Sequence, residues 1–382
     1  MSKNRVIYQS EALYVSKQYD STGVADHEQL RRVQSANYSF SLSREDINEY
    51  GILSRIDSIN LEAPTVSFDY TYYLTDGFNE RALGFYVQTG SGAQGGFASG
   101  HLETETGRNF YIVTTSEGLD LNDGTSDGFG TTETLIGLGN GFLSDYTIEG
   151  SVGSIPTASV SIEALNIRSN LLEAFATGSG GAIVSGHFDP AAINPANGIP
   201  LTNQVVLPTG RSPATGAGII TALRPGDITI DFGTFSGATT GAISSFDGIN
   251  ASHVQSFSLS LPLSRTPLEK LGSKYAYARS VDFPVIATLT VNAIVNEVTA
   301  KNLTDLVDTS IERDISVRLN QAGGVGAMIY TLKGCTLDEE SFSSSIGSNK
   351  SVDLTFSTQI GSATDALHNV LVSGYDSTPI FV

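Results

Sequence analysis

Tryptophan is absent from this 382-residue chain, and cysteine occurs once, at Cys335. One thiol excludes an intrachain disulfide and a cysteine-built zinc cluster, and it fits assembly in a reducing compartment. Charged residues are scarce at 16%, and bases are scarcer still, 21 Lys and Arg against 40 Asp and Glu for a net charge of −19. That shortage excludes a surface built to grip a phosphate backbone, because such affinity rests on Lys and Arg displacing counterions. No apolar run is long enough to span a bilayer as a helix. The stretch from Met1 to Ser10 carries positive charge without the apolar core of a signal peptide. The expectation is a soluble protein with no membrane partner and no recognisable export signal.

What is plentiful is glycine (40 residues), with serine and threonine beside a 40% apolar fraction. That balance suits strands and turns rather than long helices. The length exceeds one ordinary domain, so two compact units are expected.

A repeat divides the chain. Val33-Gln34-Ser35 through Ser43-Arg44-Glu45-Asp46-Ile47 to Tyr50-Gly51 aligns without a gap on Val254-Gln255-Ser256 through Ser264-Arg265-Thr266-Pro267-Leu268 to Leu271-Gly272, at an offset of 221. Its content is a strand with alternating large side chains (Tyr38, Phe40, Leu42; then Leu259, Leu261, Leu263), followed by a turn that begins at Ser43-Arg44 and closes at Gly51. The next strand keeps phase, with Val66, Phe68, Tyr70, Tyr72 and Leu74 falling on Ala287, Leu289, Val291, Ala293 and Val295. A slip of one residue would have moved that face to the other side of the sheet. A second block, Ile148 to Ile162 against Phe342 to Phe356, matches at an offset of 194, so the first copy is longer by 27 residues. The excess reads as enlarged surface loops at Gly90 to Gly107 and Asp120 to Gly141.

These matches predict a mainly β chain: an N-terminal β-prone arm over 1–32 that reaches a neighbour, a first module over 33–166, a connector over 167–221, and a second module with a C-terminal tail over 222–382. The connector holds Pro190, Pro195, Pro200, Pro208 and Pro213. Short helices are expected at Asn170 to Ala176, Asn79 to Phe85 and Thr299 to Val307.

Chemistry is harder to find. Gly124-Thr125-Ser126-Asp127-Gly128 fits G-x-S-x-G, but no buried strand precedes the serine and no helix follows it, so the segment reads as a solvated loop. Asp120, Asn122, Asp123 and Asp127 gather oxygens, yet Thr131 stands near where a calcium loop closes on Glu. His27, His101, His187, His253 and His368 are scattered without metal-binding spacing. Gly90 to Gly96 lacks the Gly-Lys-Ser/Thr ending of a phosphate loop. No catalytic, metal or cofactor site is expected, and the chain does not read as an enzyme.

The strand and loop from Tyr38 through Ser43-Arg44-Glu45-Asp46-Ile47 to Tyr50-Gly51 resemble the early strand and S-R-E-D loop of the tail tube (major tail) proteins of long-tailed phages. The resemblance is strongest over 33–85, weaker over 254–307 and absent in the connector. The second copy keeps Ser264, Arg265 and Gly272 but replaces the acidic pair with Thr266-Pro267. The resemblance implies two β-sandwich or barrel modules, each with a flanking helix, that lend strands to a continuous inner barrel; rings then stack into a tube through which DNA passes unbound. It names Ser43, Arg44, Glu45, Asp46, Gly51, Ser264, Arg265 and Gly272 as assembly residues, and the partners as further copies of this chain and other tail proteins at the tube ends, in a virion assembled in the host cytoplasm. Two modules per chain imply three chains in a pseudo-sixfold ring. Residues 33–166 hold 18 acidic and 4 basic side chains, against 11 and 9 over 254–360; this acid is expected either to line the lumen or to keep an outer face soluble. Competing readings are another β-rich virion part, in a baseplate or decorating a capsid, and a carbohydrate-binding β-protein, which the lack of tryptophan disfavours.

Overall fold

Alternation of large apolar with small polar residues dictates the architecture. In the computed structural model it produces strands buried on one face and wet on the other. The structure describes residues 11–17, 24–61, 64–88, 95–102, 107–114, 134–171, 176–177, 183–184, 204–206, 223, 228–232, 253–272, 275–294, 312–320, 327–343 and 351–374 without 363 and 366.

The first half runs β1 (Glu11–Lys17), β2 (Val24–Gln29), β3 (Val33–Ser41), β4 (Arg44–Ile47), β5 (Asp57–Asn60), β6 (Thr65–Tyr73), α1 (Phe78–Leu83), α2 (Ser99–Leu102), β7 (Arg108–Thr114), β8 (Thr134–Ser151), β9 (Thr157–Ala164) and β10 (Asn166–Leu171). Short strands β11 (Ala176–Thr177), β12 (Ile183–Val184) and β13 (Gln204–Val206) follow. The second half runs β14 (Ile228–Asp231), β15 (His253–Pro262), β16 (Arg265–Leu268), β17 (Ala278–Val281), β18 (Ile286–Ile294), β19 (Arg313–Asn320), β20 (Ala327–Ser343), β21 (Ser351–Gln359) and β22 (Val370–Ser373).

An inner sheet crosses both halves in the order β3-β6-β9-β8-β15-β18-β21-β20, antiparallel throughout. Behind it, β1 pairs β7 and β7 pairs the first part of β8, while β14 pairs β19 and β19 pairs the first part of β20. The core fills the space between these layers. It takes Val66, Phe68, Tyr70 and Tyr72 from β6 and Ala287, Leu289, Val291 and Ala293 from β18, all buried, which is the phase the sequence requires. Each large side chain sealed there contributes about 1.5–3 kcal/mol.

Corresponding pairings in the halves take corresponding registers. The β3–β6 pairing is irregular between Val33 and Ser35, and β15–β18 between Val254 and Ser256. Likewise β8–β9 shifts between Leu143 and Asp145 and β20–β21 between Leu337 and Glu339, while β7–β8 shifts between Arg108 and Phe110 and β19–β20 between Arg313 and Ile315. Bulges are specific features of a ladder, so their coincidence is more informative than shared alternation.

Several expectations change. Residues 11–17 are no outward arm: β1 lies along β7, with Leu13, Tyr14 and Val15 buried. The turn expected from Ser43 to Gly51 is a longer hairpin, β4 pairing β5, with Gly51 at its tip; Gly272 takes the same place between β16 and β17, and their φ values of 92° and 84° are ones a side chain disfavours. Thr134 to Gly141 belongs to β8 and not to a loop, because its glycines permit close approach; a Cβ on Gly141 would stand 2.8 Å from Ile162. Within the other glycine-rich stretch, α2 is held inward by Phe97, which stacks on Phe85 with centroids 4.1 Å apart. The helix expected at Asn170 fails at its start, since Asn170 and Leu171 pair Leu135 and Thr134 of β8. Ala176, at its other end, lies in β11. The helix expected near Asn79 is present as α1, stopped by Gly84 in the left-handed region. The helix at Thr299 to Val307, the acidic loop from Asp120 to Asp127 and His187 lie outside the described residues.

Candidate assembly interface

The inner sheet is joined across the halves by one seam. β8 and β15 run antiparallel from Ser151 opposite Ser256 to Asp145 opposite Pro262. The ladder extends at both ends, Val152 N–H donating to the Gln255 carbonyl at 2.9 Å and Leu263 N–H to that of Ser144 at 2.9 Å. On the core side Phe257, Leu259, Leu261 and Leu263 meet Ile148 and Tyr146, all buried. Gly150 faces Phe257, and a Cβ there would come within 2.5 Å of the ring, so the seam closes only with that position bare.

The sheet's outer margins carry the same strand types with no described strand beyond them. Among the described strands β3 pairs β6 alone, and residues 339–343 of β20 pair only β21. Phe40 is 60% exposed where Leu261 is 2% exposed, and Phe342 is 53% exposed where Ile148 is fully buried. Exposed apolar edges of this kind invite another strand.

The assembly residues expected from sequence sit on two hairpins. Ser43 and Ser264 accept equivalent backbone bonds, from Leu61 N–H at 3.4 Å and Asp282 N–H at 2.9 Å. Arg44, Glu45 and Asp46 are exposed on β4, where Asp46 pairs Arg55 at 3.0 Å and leaves Ile47, Tyr50, Ile52, Leu53, Ile56 and Ile59 facing water. Arg265 is placed differently. Its Nη2 donates to the His101 carbonyl at 2.9 Å and its Nη1 to that of Arg279 at 2.7 Å, and the two guanidiniums lie near the Phe142 ring. Arg279 also reaches Glu163 at 3.5 Å. The second hairpin is thus anchored on the first half. Burial pushes the His101 imidazole down to about 3, and Arg108 and Arg265 push the same way.

One polar cluster was invisible in the sequence. Tyr72 and Tyr146 donate to the Glu80 carboxyl at 2.7 and 3.0 Å, and Tyr146 shares a 3.1 Å hydrogen bond with Tyr330 of the second half. Burial holds the Glu80 carboxyl above the usual carboxylate range, against the two tyrosine hydrogen bonds and with Asp76 adding to it. Tyr72 lies eight residues from Glu80 but Tyr146 lies 66 away and Tyr330 farther still, so spacing gives no signal of the cluster. The cluster is sealed in the core and ties the halves together rather than facing a ligand.

The face of the inner sheet turned away from the core is built mainly from Ser, Thr and Asn with Asp69, Glu163, Asp145, Glu149, Asp353 and Glu339, interrupted by Tyr73, Phe142, Ile286 and Ile294; none of the eight strands places Lys or Arg on it, while Arg279 of β17 reaches its Glu163. Among the described residues no cluster of His, Cys, Asp or Glu is arranged to hold a metal ion, and no helix is long and apolar enough to cross a membrane.

Comparison with known proteins adds little. No family model matches the chain, and no curated protein matches it. Among solved structures, a chain of the anti-feeding prophage (AFP) baseplate, from a 6-fold symmetrised cryo-EM structure, is similar at 13% identity and a TM-score of 0.23, covering 39% of this chain and 92% of that one. A similarity so low carries nothing from that assembly to this chain.

Proposed function

We propose that this protein is a structural component of a phage tail tube, in which copies close into rings and the rings stack into a conduit for DNA. The observation that carries the reading is an eight-stranded sheet whose margins no described strand covers and whose strands place six acidic residues and no Lys or Arg on one face, where Arg279 of the second hairpin meets Glu163. A sheet with open margins is completed either by closing on itself or by neighbours. Three such sheets, about 24 strands at ~4.8 Å spacing with the usual tilt, close on a backbone diameter of roughly 40–50 Å, which leaves room for a nucleic-acid duplex. With this predominantly acidic face inward, the wall repels phosphates over roughly 8 Å at physiological salt, so DNA slides without sticking.

The coincident bulges of the two halves and the S-R-E-D strand and loop support one module written twice, hence three chains per pseudo-sixfold ring. Electron microscopy and native mass measurement of the purified chain test the proposal. Rings or tubes with three chains per ring are expected. A monodisperse monomer, or six or more chains per ring, overturns it.

A further inference from the structure

The seam inside the chain specifies a seam between chains. β15 corresponds to β3 at the offset of 221, and the second part of β8 corresponds to that of β20 at the offset of 194. Inside one chain β15 is covered by β8, whereas no described strand covers the second edge of β3 or of the end of β20. A chain therefore carries both partners of its own internal junction a second time, one at each margin of the sheet.

We propose that β20 of one chain pairs antiparallel with β3 of a second copy, in the register of the internal seam. Carried over by the two offsets, Glu149 opposite Ser258 becomes Ser343 opposite Asn37, Ile148 opposite Leu259 becomes Phe342 opposite Tyr38, and Thr147 opposite Ser260 becomes Ser341 opposite Ser39. Tyr146 opposite Leu261 becomes Glu340 opposite Phe40, and Asp145 opposite Pro262 becomes Glu339 opposite Ser41. The exposed Tyr38, Phe40 and Phe342 then take the places that Leu259, Leu261 and Ile148 hold when buried. The proposal rests on the ring reading and adds which strand meets which and in what alignment.

One exchange leaves the ladder as it is and another changes its core side. Ser41 stands in the place of Pro262, a position whose backbone N–H is directed away from the seam, since the hydrogen-bonded pairs fall at Ser144 with Leu263 and at Val152 with Gln255. Glu340 replaces Tyr146, so the tyrosine bridge to Glu80 has no counterpart there. The contact is head-to-tail, β3 meeting β20 and never itself, and a contact of that type generates a closed ring or a helix rather than a two-fold dimer.

Cysteine pairing reads the register directly, because antiparallel neighbours lie within disulfide reach and the native Cys335 is buried. Chains carrying Asn37→Cys are mixed with chains carrying Ser343→Cys, and Ser39→Cys with Ser341→Cys, under mild oxidation. Linked dimers are expected from at least one matched mixture and not from Ser41→Cys with Ser343→Cys. Rings that form while only the mismatched mixture links, or none does, overturn the register and leave the ring reading standing. Chains that neither link nor assemble overturn both. As an independent arm, Phe342→Asp is expected to leave the monomer folded by circular dichroism and to raise the concentration needed for assembly at least tenfold; unchanged assembly overturns the junction.

Discussion

β3 and β15 share a sequence pattern and are opposite in circumstance. Each presents alternate large side chains toward the core side of the sheet, and each pairs on one edge with a strand of matching register. β15 is covered on its other edge by β8, and β3 by no described strand. The hairpins that follow differ in the same sense, β16 and β17 being anchored through Arg265 and Arg279 while β4 is exposed throughout. A strand's own sequence therefore encodes which face it buries, and only its neighbour decides whether its edge is finished.

The sharpest way to break this comparison is to place the same charge at equivalent positions. Leu261→Asp is expected to lower unfolding stability by about 4 kcal/mol or more, since a carboxylate there is sealed away without a partner. Phe40→Asp is expected to change monomer stability by only about 0.5 kcal/mol while abolishing assembly. Chemical denaturation with sizing of each variant checks both, and equal losses of stability would mean that β3 is covered within the chain.

Next in size, Gly150→Val forces a side chain against Phe257 across the internal seam and is expected to cost about 1–3 kcal/mol. Denaturant titration measures it, and a single cooperative transition would show that both halves lose stability together. Smaller again is the hairpin contrast. Arg265→Ala removes charged hydrogen bonds from part-buried carbonyls and is expected to cost about 1.5–3 kcal/mol, whereas Arg44→Ala is expected to stay within about 0.5 kcal/mol, both read by thermal unfolding.

The alternation of β6 and β18, the shared hairpin glycines and the α1 helix were legible because each is a local pattern. The edges were not. Nothing in Tyr38-Ser39-Phe40 differs in kind from Leu259-Ser260-Leu261, so the exposure of one and burial of the other had to come from the fold. Glycine misled at Thr134 to Gly141, where small residues that suggest a loop instead let β8 pass close to Ile162. Glu80 was unreadable for another reason: the carboxyl meets Tyr72 of the neighbouring β6, but Tyr146 and Tyr330 come from β8 and β20, far along the chain.

The smallest expected effect concerns that carboxyl, which bridges the halves being compared. Its titration is raised in the folded state, so its stabilising contribution is full below the ordinary carboxylate value of 4.5 and is lost as pH rises through the raised one. Glu80→Gln removes this dependence. The unfolding midpoint of the variant is expected to vary less than that of the parent between pH 4.5 and neutrality, and an unchanged slope would assign the pH response to other groups.

β8 is 18 residues long and serves the outer layer with its first part and the inner sheet with its second. A load applied to the inner sheet therefore travels into the outer layer along peptide bonds instead of through side-chain friction. Peeling the layers apart requires bending one continuous ribbon, and β20, 17 residues long, repeats that reinforcement in the other half.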